Sequence, residues 1–571
     1  MPNGSRLGTV LVASVLIASC RADDPMPLRF KARLEALLGM AGKEPTDDEV
    51  QRALLRQLRE PGSRSAPFPS RQTISDFYER RANQLVWLDA DGKTGAAAAT
   101  LLGSLHRAGD EGLEPDDYAV DRLEALERDL REKRTDAHAA ERIADFDLLA
   151  TTAFFRYASD LSTGRVHPDE VESDWHTKAP ETDLPAALDE ALTRGDLEKL
   201  IASLPPPHPG YGRLKDALAK LRAVEAAGAW RPIPPGPKIG RGARGQRVAL
   251  LRQRLDATRG DQFDAALVGA VRRFQTLHGL EPDGVVSTAT LDALNVPVSD
   301  RIRQVELNLE RWRWIPRDLG DSHVLVNIPG FDLELDRKGS PPWRTRVVAG
   351  KAYTPTPVFS DRIVAIVVNP PWNVPESIAV NEYLPELQKD RKALAKEDVR
   401  LYQGAGDKAR ELNPEQVDWK NVDPEHFPYW FRQEPGATNP LGRVKFDLTN
   451  DFQIYLHDTP AGGAFSRAGR GLSHGCIRVQ NALELANQIS SEAVQEKLSD
   501  ALEHADERRI ELDKKIPVHI LYWTAWVDDA GNLHFGPDLY QFDPPQRAAL
   551  DKVTGKRDSG APGHDTGAGP T

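Results

Sequence analysis

The hydrophobic period of this chain changes once, near residue 320, and that change fixes what its two parts can become. Before it, apolar residues recur at helical spacing: residues 143–158 put Phe146, Leu149, Ala153, Phe154 and Tyr157 on one stripe. After it, they alternate. Residues 323–328 and 331–335 flank Pro329-Gly330 and predict a hairpin. Strand-like runs recur at 344–348, 363–368, 444–448, 452–456 and 518–527. Two periods in 571 residues imply a multidomain α+β chain of roughly three to four domains, its second part a β sandwich or barrel.

The segments follow from composition. Residues 1–22 are expected to be an export signal, with Arg6 before an apolar stretch at 7–17 too short to span a bilayer. Ile17-Ala18-Ser19-Cys20 fits a lipoprotein box, which would place a lipid anchor on Cys20; ordinary cleavage after Ala22 is the alternative. Residues 23–70, charged and closed by Pro61, Pro67 and Pro69, are expected to be a tether. An α-helical scaffold is predicted over 71–235, with Phe77, Leu85, Leu88, Leu101, Leu102 and Leu105 as apolar positions. Residues 239–297 predict three short helices. Val248, Leu251 and Leu255 stripe the first, Leu267, Val271, Phe274 and Leu277 the second, and Ser287 caps the third. A linking helix at 298–320 leads to a β-rich domain over 322–543. Its strands are interrupted at 376–440 by a charged insertion, expected to be a helical lid. Residues 544–571 are expected to be a disordered tail. The net charge of −12 is spread along the chain without a basic cluster, which argues against a nucleic-acid partner.

Beyond the signal the chain has one cysteine, in Ser473-His474-Gly475-Cys476-Ile477-Arg478. A single thiol cannot close an internal disulfide, and its Gly, His, Ser and Arg neighbours suit an electropositive turn better than a core. Cys476 is therefore the expected nucleophile. Alternation at 452–456 predicts a strand with Phe452, Ile454 and Leu456 inward, so that Gln453, Tyr455 and His457 share the polar face. His457, nineteen positions before Cys476, is the expected acid/base; His474 is the alternative, with a role in orienting the loop. Gly475 would let backbone N–H groups meet an oxyanion. Asn481 and Glu484 are expected to cap a helix just downstream. Arg467, Arg470 and Arg478 are expected to depress the thiol pKa or bind carboxylates. One Cys and two His fall short of the four ligands of structural zinc, so no metal is expected, and acyl transfer by thiol and imidazole needs no cofactor.

These motifs, His457-Asp458-Thr459-Pro460 and Ser473-His474-Gly475-Cys476-Ile477-Arg478, resemble the L,D-transpeptidases with a YkuD-type catalytic domain. The chain is most similar to their large, scaffold-containing, YcbB-like branch. The likeness extends to Thr356-Pro357-Val358-Phe359-Ser360, Asn369-Pro370-Pro371-Trp372 and Asn439-Pro440-Leu441-Gly442. Residues 239–297 resemble a peptidoglycan-binding domain through Phe274-Gln275, Gly279-Leu280 and Asp283-Gly284, although Ser287 replaces the usual second glycine of its turn. The resemblance implies a cysteine thioacyl-enzyme formed at position three of a stem peptide, with release of the terminal D-Ala. It then implies a 3→3 cross-link between diaminopimelate residues in the periplasm, and acylation by carbapenems. It implies an oxyanion site at the Gly475 and Cys476 amides and substrate contacts from Arg478, Tyr455, Ser473 and Arg470. The implied partners are stem peptides, glycan strands and cell-wall synthases. Capture of the thioacyl group by water (an L,D-carboxypeptidase), by a lipoprotein or by a D-amino acid stays open, as does a non-enzymatic wall-binding role.

Overall fold

The computed structural model describes residues 44–59, 69–89, 93–133, 135–177, 182–228 and 230–554. The expected export signal with Cys20, much of the expected tether, and residues 555–571 lie outside the described residues. The chain forms two compact units. The first takes the described residues up to Arg107 with Glu114–Ala158 and Asp183–Ile201; the second takes Ala108–Leu113, Ser159–Thr182 and Ala202 onward.

The first unit is helical. Part of the expected tether folds into it: Asp47–Arg59 is a helix with Val50, Ala53 and Leu54 buried. It is bonded through Gln57 to Asp145 at 2.8 Å. The unit also holds the helices Arg71–Arg80, Ala96–His106, Val120–Glu132 and Leu184–Arg194 and the start of the long helix Ala139–Thr163. Ser70 and Asp183 cap two of them, accepting from the Thr73 and Ala186 amides. The helical stripe expected through Leu85 and Leu88 is interrupted, because residues 84–89 leave the helix and bury Trp87 instead. Asp147 causes the interruption. Its buried carboxyl accepts from the Val86 and Trp87 amides at 2.9 and 2.8 Å and from the Tyr78 hydroxyl at 2.6 Å. Burial lifts its pKa to about 6.

The second unit holds the β structure, and its strands are numbered here in chain order. The catalytic-domain candidate opens with β1 Ser322–Asn327, β2 Asp332–Arg337, β3 Ser340–Gly350 and β4 Phe359–Val368. Then come β5 Trp372–Asn373, β6 Val399–Gln403, β7 Arg410–Leu412 and β8 Tyr429–Gln433. The rest are β9 Val444–Asp447, β10 Leu456–His457, β11 Gly471–Ser473, β12 Ile477–Val479, β13 Arg508–Leu521, β14 Ala525–Val527 and β15 Leu533–Phe535. Eight of them run in the order β3-β12-β10-β9-β4-β13-β1-β2, and β2 pairs back onto β3, so the ring closes as a barrel. β11 is appended outside the ring on β3. The barrel is filled by alternating inward residues such as Val324, Val326, Leu333, Val347, Ile366, Phe446, Leu456, Ile477 and Val518.

Three expectations change. The insertion is not wholly helical: after Glu376–Ile378, Leu384–Lys389 and Ala393–Lys396 it supplies β6, β7 and β8, which with β5 just ahead of it form a four-stranded sheet, β5-β8-β6-β7. Its own core contains Tyr383, Leu387, Leu401, Trp419 and Phe431. The run expected over 518–527 breaks between β13 and β14, because Asn308 takes the Thr524 amide at 2.9 Å. The disordered tail starts late: Asp543–Thr554 is a helix that buries Gln546 and Leu550.

Gln246–Arg254, Ala265–Leu277 and Thr288–Asn295 form the three-helix element with a separate apolar core. Ser287 accepts from the Thr290 amide, and Gly284 turns the chain at φ +79. The linking helix, Val298–Arg313, packs against Pro209–Ala226 through Val298, Ile302, Val305 and Leu309. This apolar stripe is why the end of the expected scaffold joins the second unit.

Replacing Asp147 by Ala strands the Val86 and Trp87 amides, at an expected cost of about 2–3 kcal/mol. Hydrogen exchange in the helix around position 147 should then quicken by about thirty- to a hundred-and-sixtyfold; an unchanged rate would show that the carboxyl is not what orders residues 84–89.

Candidate active site

Register places the thiol. β10 runs parallel to β12 with Leu456 opposite Ile477 and His457 opposite Arg478, and the Ile477 amide donates to the Tyr455 carbonyl at 3.1 Å. One step back along this ladder, Tyr455 lies alongside Cys476. The longer strand expected at 452–456 is absent: Gln453 has φ +58, and Phe452 is turned outward onto His176, with ring centroids 4.3 Å apart. Only Ile454 and Leu456 of the expected inward set are buried.

Cys476 is half-buried. Its Sγ donates to the Gln453 carbonyl at 3.7 Å. Burial raises the thiol pKa above its ordinary value; hydrogen bonds from the Tyr455 amide and hydroxyl, and the charges of Lys445 and Arg478, pull it back only in part. The expected depression by a cationic loop is therefore overturned by desolvation. Arg470 spends its donors on backbone carbonyls, Phe331 at 2.9 Å and Arg467 at 2.7 Å among them. Arg478 remains beside the thiol, its buried Nε without a partner among the described residues.

His457 does not emerge on a polar face; it is buried. Its Nδ1 donates to the Asp458 carbonyl at 2.6 Å, and the Pro440 carbonyl also lies within hydrogen-bonding reach of the ring. Burial drops its pKa to about 3. No hydrogen bond joins either imidazole to the thiol among the described residues. Tyr455 stands between the two readings: it touches the thiol, and its ring meets His457 edge-on at 5.6 Å. His474 instead faces the insertion, its Nε2 2.5 Å from Glu382 Oε1 and 3.5 Å from Lys351 Nζ.

Gly475 adopts φ +110, where a side chain would be strained, and a Cβ there would press on Ile454 at 3.2 Å. Its carbonyl accepts from the Thr356 hydroxyl at 2.6 Å. Its N–H donates to Ser473 Oγ at 3.2 Å, so Gly475 does not hold the open amide expected of it. Ser473 in turn donates to the Cys476 carbonyl at 2.6 Å. Thr356 is fixed from outside the loop: its Oγ1 accepts from the Gly350 amide at 2.9 Å, and its own amide donates to the Tyr540 hydroxyl at 3.1 Å. The cap expected at Asn481 is missing, since Asn481 has φ +57 and makes no side-chain cap; Glu484 accepts from the Trp343 indole at 2.8 Å instead. Sequence reasoning assigned no role to Thr356, Gln453, Tyr540, Lys351 or Glu382. Thr356 lay within a quoted motif, whereas nothing near Glu382 signalled its contact with His474. No group of three or more His, Cys, Asp or Glu among the described residues is arranged to hold a metal.

Comparison with known families fits this architecture. Residues 72–218 match a scaffold domain, 244–294 a peptidoglycan binding domain and 321–518 the L,D-transpeptidase catalytic domain, YkuD. Residues 321–518 therefore belong to the YkuD family of L,D-transpeptidase catalytic domains. With its scaffold and peptidoglycan-binding domains, the chain has the make-up of the YcbB-like multidomain L,D-transpeptidases. A Haemophilus influenzae protein, whose name provisionally assigns it as an L,D-transpeptidase, is 32% identical over 249 residues, 43% of this chain and 49% of that protein. The match thus spans about half the length of that relative. An L,D-transpeptidase from Mycobacterium smegmatis is 12% identical over 35% of this chain and 58% of its own, with a TM-score of 0.17. One from Xylanimonas cellulosilytica is 16% identical over 50% and 99%, also at 0.17. Scores this low add nothing to the fold.

Alkylation of Cys476 by iodoacetamide should rise with pH to a midpoint above 9, the thiol's ordinary value. Tyr455→Phe, which removes a hydrogen bond to sulfur, should move that midpoint higher still. A wild-type midpoint below pH 7 would mean a resting thiolate and would contradict the buried, neutral site.

Proposed function

We propose that this chain is an L,D-transpeptidase that forms 3→3 diaminopimelate cross-links through a thioacyl-enzyme on Cys476. The observation that carries the reading is the loop Ser473–Cys476 of a YkuD domain, held by Thr356 and Ser473 with Gly475 at φ +110. Its chemistry starts from a neutral pair. The thiol is protonated and His457 is a free base at physiological pH, so the proton passes to His457 as sulfur attacks the diaminopimelate carbonyl. Tyr455 keeps the sulfur in place during that transfer. The carbon–sulfur bond forms, the amide C–N bond breaks, and D-Ala leaves with the proton returned by His457. An amine of a second stem then attacks the thioester, restoring thiol and amide. The Cys476 amide, which has no acceptor among the described residues, is the donor proposed for the oxyanion, a stabilisation of about 3–4 kcal/mol. Arg478, beside the sulfur with its buried Nε unpartnered among the described residues, suits a carboxylate of the stem peptide. His474, paired with Glu382, orients the loop. We assign the work to the periplasm, reached through the export signal, with Cys20 as the site of lipid attachment; carbapenems are expected to acylate Cys476.

Residues 23–571 incubated with disaccharide-tetrapeptide should yield, by mass spectrometry, a dimer lacking one D-Ala, absent from Cys476→Ala. Disaccharide-tripeptide without dimer would instead assign water as the acceptor, and no product from the wild-type chain would sink the enzymatic reading.

Because His457 is neutral until about pH 3, kcat/KM between pH 7 and 5 should lack the fall that an ordinary histidine would impose near 6.5. A limb centred near 6.5 would exclude His457 as the base in its buried setting.

A further inference from the structure

Tyr540 lies outside the YkuD-family region 321–518, yet its hydroxyl closes the loop on which the nucleophile's turn is hung. That hydroxyl donates to the Gly350 carbonyl at 2.9 Å and accepts from the Thr356 amide at 3.1 Å. A phenol can do both at once, so a single oxygen ties the two ends of the loop 350–356. Within the loop the approach is close: a Cβ on Gly350 would strike the Thr354 carbonyl and the Thr356 amide.

Tyr540 is itself held from behind. Its amide donates to the Tyr522 hydroxyl at 2.8 Å, and that hydroxyl donates to Asp538 at 2.7 Å. Asp538 also accepts from the Phe542 and Asp543 amides at 2.9 and 3.0 Å. The rings of Tyr522 and Tyr540 stack with centroids 5.4 Å apart. In front, the loop makes three bonds to the turn. The Lys351 amide and the Thr354 hydroxyl donate to the Ser473 carbonyl at 3.0 and 3.2 Å, and the Thr356 hydroxyl donates to the Gly475 carbonyl at 2.6 Å. The last bond reaches furthest, because the Gly475 carbonyl and the Cys476 amide belong to one planar peptide unit. In a trans unit the two point opposite ways, so a bond that fixes the carbonyl also aims the Cys476 N–H, away from the loop. Glycine's own backbone imposes little direction there, which leaves the aim to that bond.

We propose that Tyr540 is a positioning residue for acyl transfer: acting through Thr356, it sets the plane of the Gly475–Cys476 peptide, and with that plane the oxyanion donor and the enclosure of the thiol. The proposal rests on the thioacyl reading above and carries the working site past residue 518, to the segment 522–543. Loss of the phenol oxygen takes this partner from the Thr356 amide and the Gly350 carbonyl, so that the loop shifts and the peptide plane turns. A donor turned away from the oxyanion costs turnover and leaves substrate binding alone. A loosened turn also admits water to the sulfur, which lowers a thiol pKa that burial has raised.

The test compares residues 23–571 of the wild type with Tyr540→Phe, Thr356→Val and Thr356→Ser, using far-UV circular dichroism and melting temperature to verify folding. Two quantities are read: kcat and KM for dimer formation from disaccharide-tetrapeptide, and the pH midpoint of Cys476 alkylation by iodoacetamide, which needs no turnover. Tyr540→Phe and Thr356→Val should lower kcat about tenfold or more with KM held within about twofold. Thr356→Ser, which keeps the hydroxyl, should recover most of that loss. The Tyr540→Phe midpoint should fall toward 9, opposite to the rise expected of Tyr455→Phe. An unchanged kcat or an unmoved midpoint in a folded Tyr540→Phe protein would overturn the proposal, whatever its melting temperature. If that variant does not fold, the contrast between Thr356→Val and Thr356→Ser decides, and equal kcat in the two overturns it. A wild type that forms no dimer removes the thioacyl reading, and the midpoint alone then decides whether Tyr540 holds the thiol's turn.

Discussion

The second unit depends on charge buried along the helix Val298–Arg313. Glu310 and Arg313, both without side-chain exposure, pair at 2.8 Å. Glu310 also accepts from the Arg165 and Val166 amides, and Arg313 reaches the Glu111 carbonyl and the Tyr211 hydroxyl. Between those two residues, Arg311 meets Gln546 at 2.8 Å and Asp543 at 2.7 Å, while Asn308 grips Thr524. Five stretches of chain, at Glu111, Arg165–Val166, Tyr211, Thr524 and Asp543–Gln546, thus converge on one helix. Removing one partner of such a buried pair typically costs about 3–5 kcal/mol, because the survivor keeps its desolvation penalty. Gly164 answers to the same constraint: a Cβ at its φ of +88 would strike Glu310 and Trp314.

That helix ends where the barrel begins, and the barrel in turn sets the register that brings Tyr455 to Cys476. The site it builds is poised by burial more than by charge. Lys445 and Arg478 lie close enough to favour a thiolate, yet desolvation outweighs them and also keeps His457 neutral. Both groups therefore begin uncharged, which is the lower-energy arrangement for a pair held out of water.

Much of this was legible in the sequence wherever one face of an element is buried. The hairpin about Pro329-Gly330, the caps at Ser287, and the helix through Phe146 and Phe154 follow from periodicity and turn chemistry alone. The failures have a common cause in contacts from outside the local window. Asp147 pulls residues 84–89 out of helical pattern from sixty residues away, and Asn308 breaks the 518–527 run from more than two hundred. The insertion is expected from its sequence to be a helical lid, but its residues 429–433 form β8, whose neighbours β5 and β6 come from two other stretches of sequence. At the site, the loop carrying Cys476 and Gly475 was visible because its residues are chemically unusual. The sign of the thiol's pKa shift was not, since it depends on burial that no count of nearby arginines measures.

Closure of the eight-strand ring has a further consequence, for self-association. A ring offers no unpaired edge to a neighbouring molecule, and the one strand outside it, β11, is three residues long with a register shift between Gly471 and Ser473. The insertion's sheet ends in β5 and β7, of two and three residues. Every free edge of these two sheets is thus too short to template a stranger's strand. A domain built this way resists stacking edge to edge into fibrils.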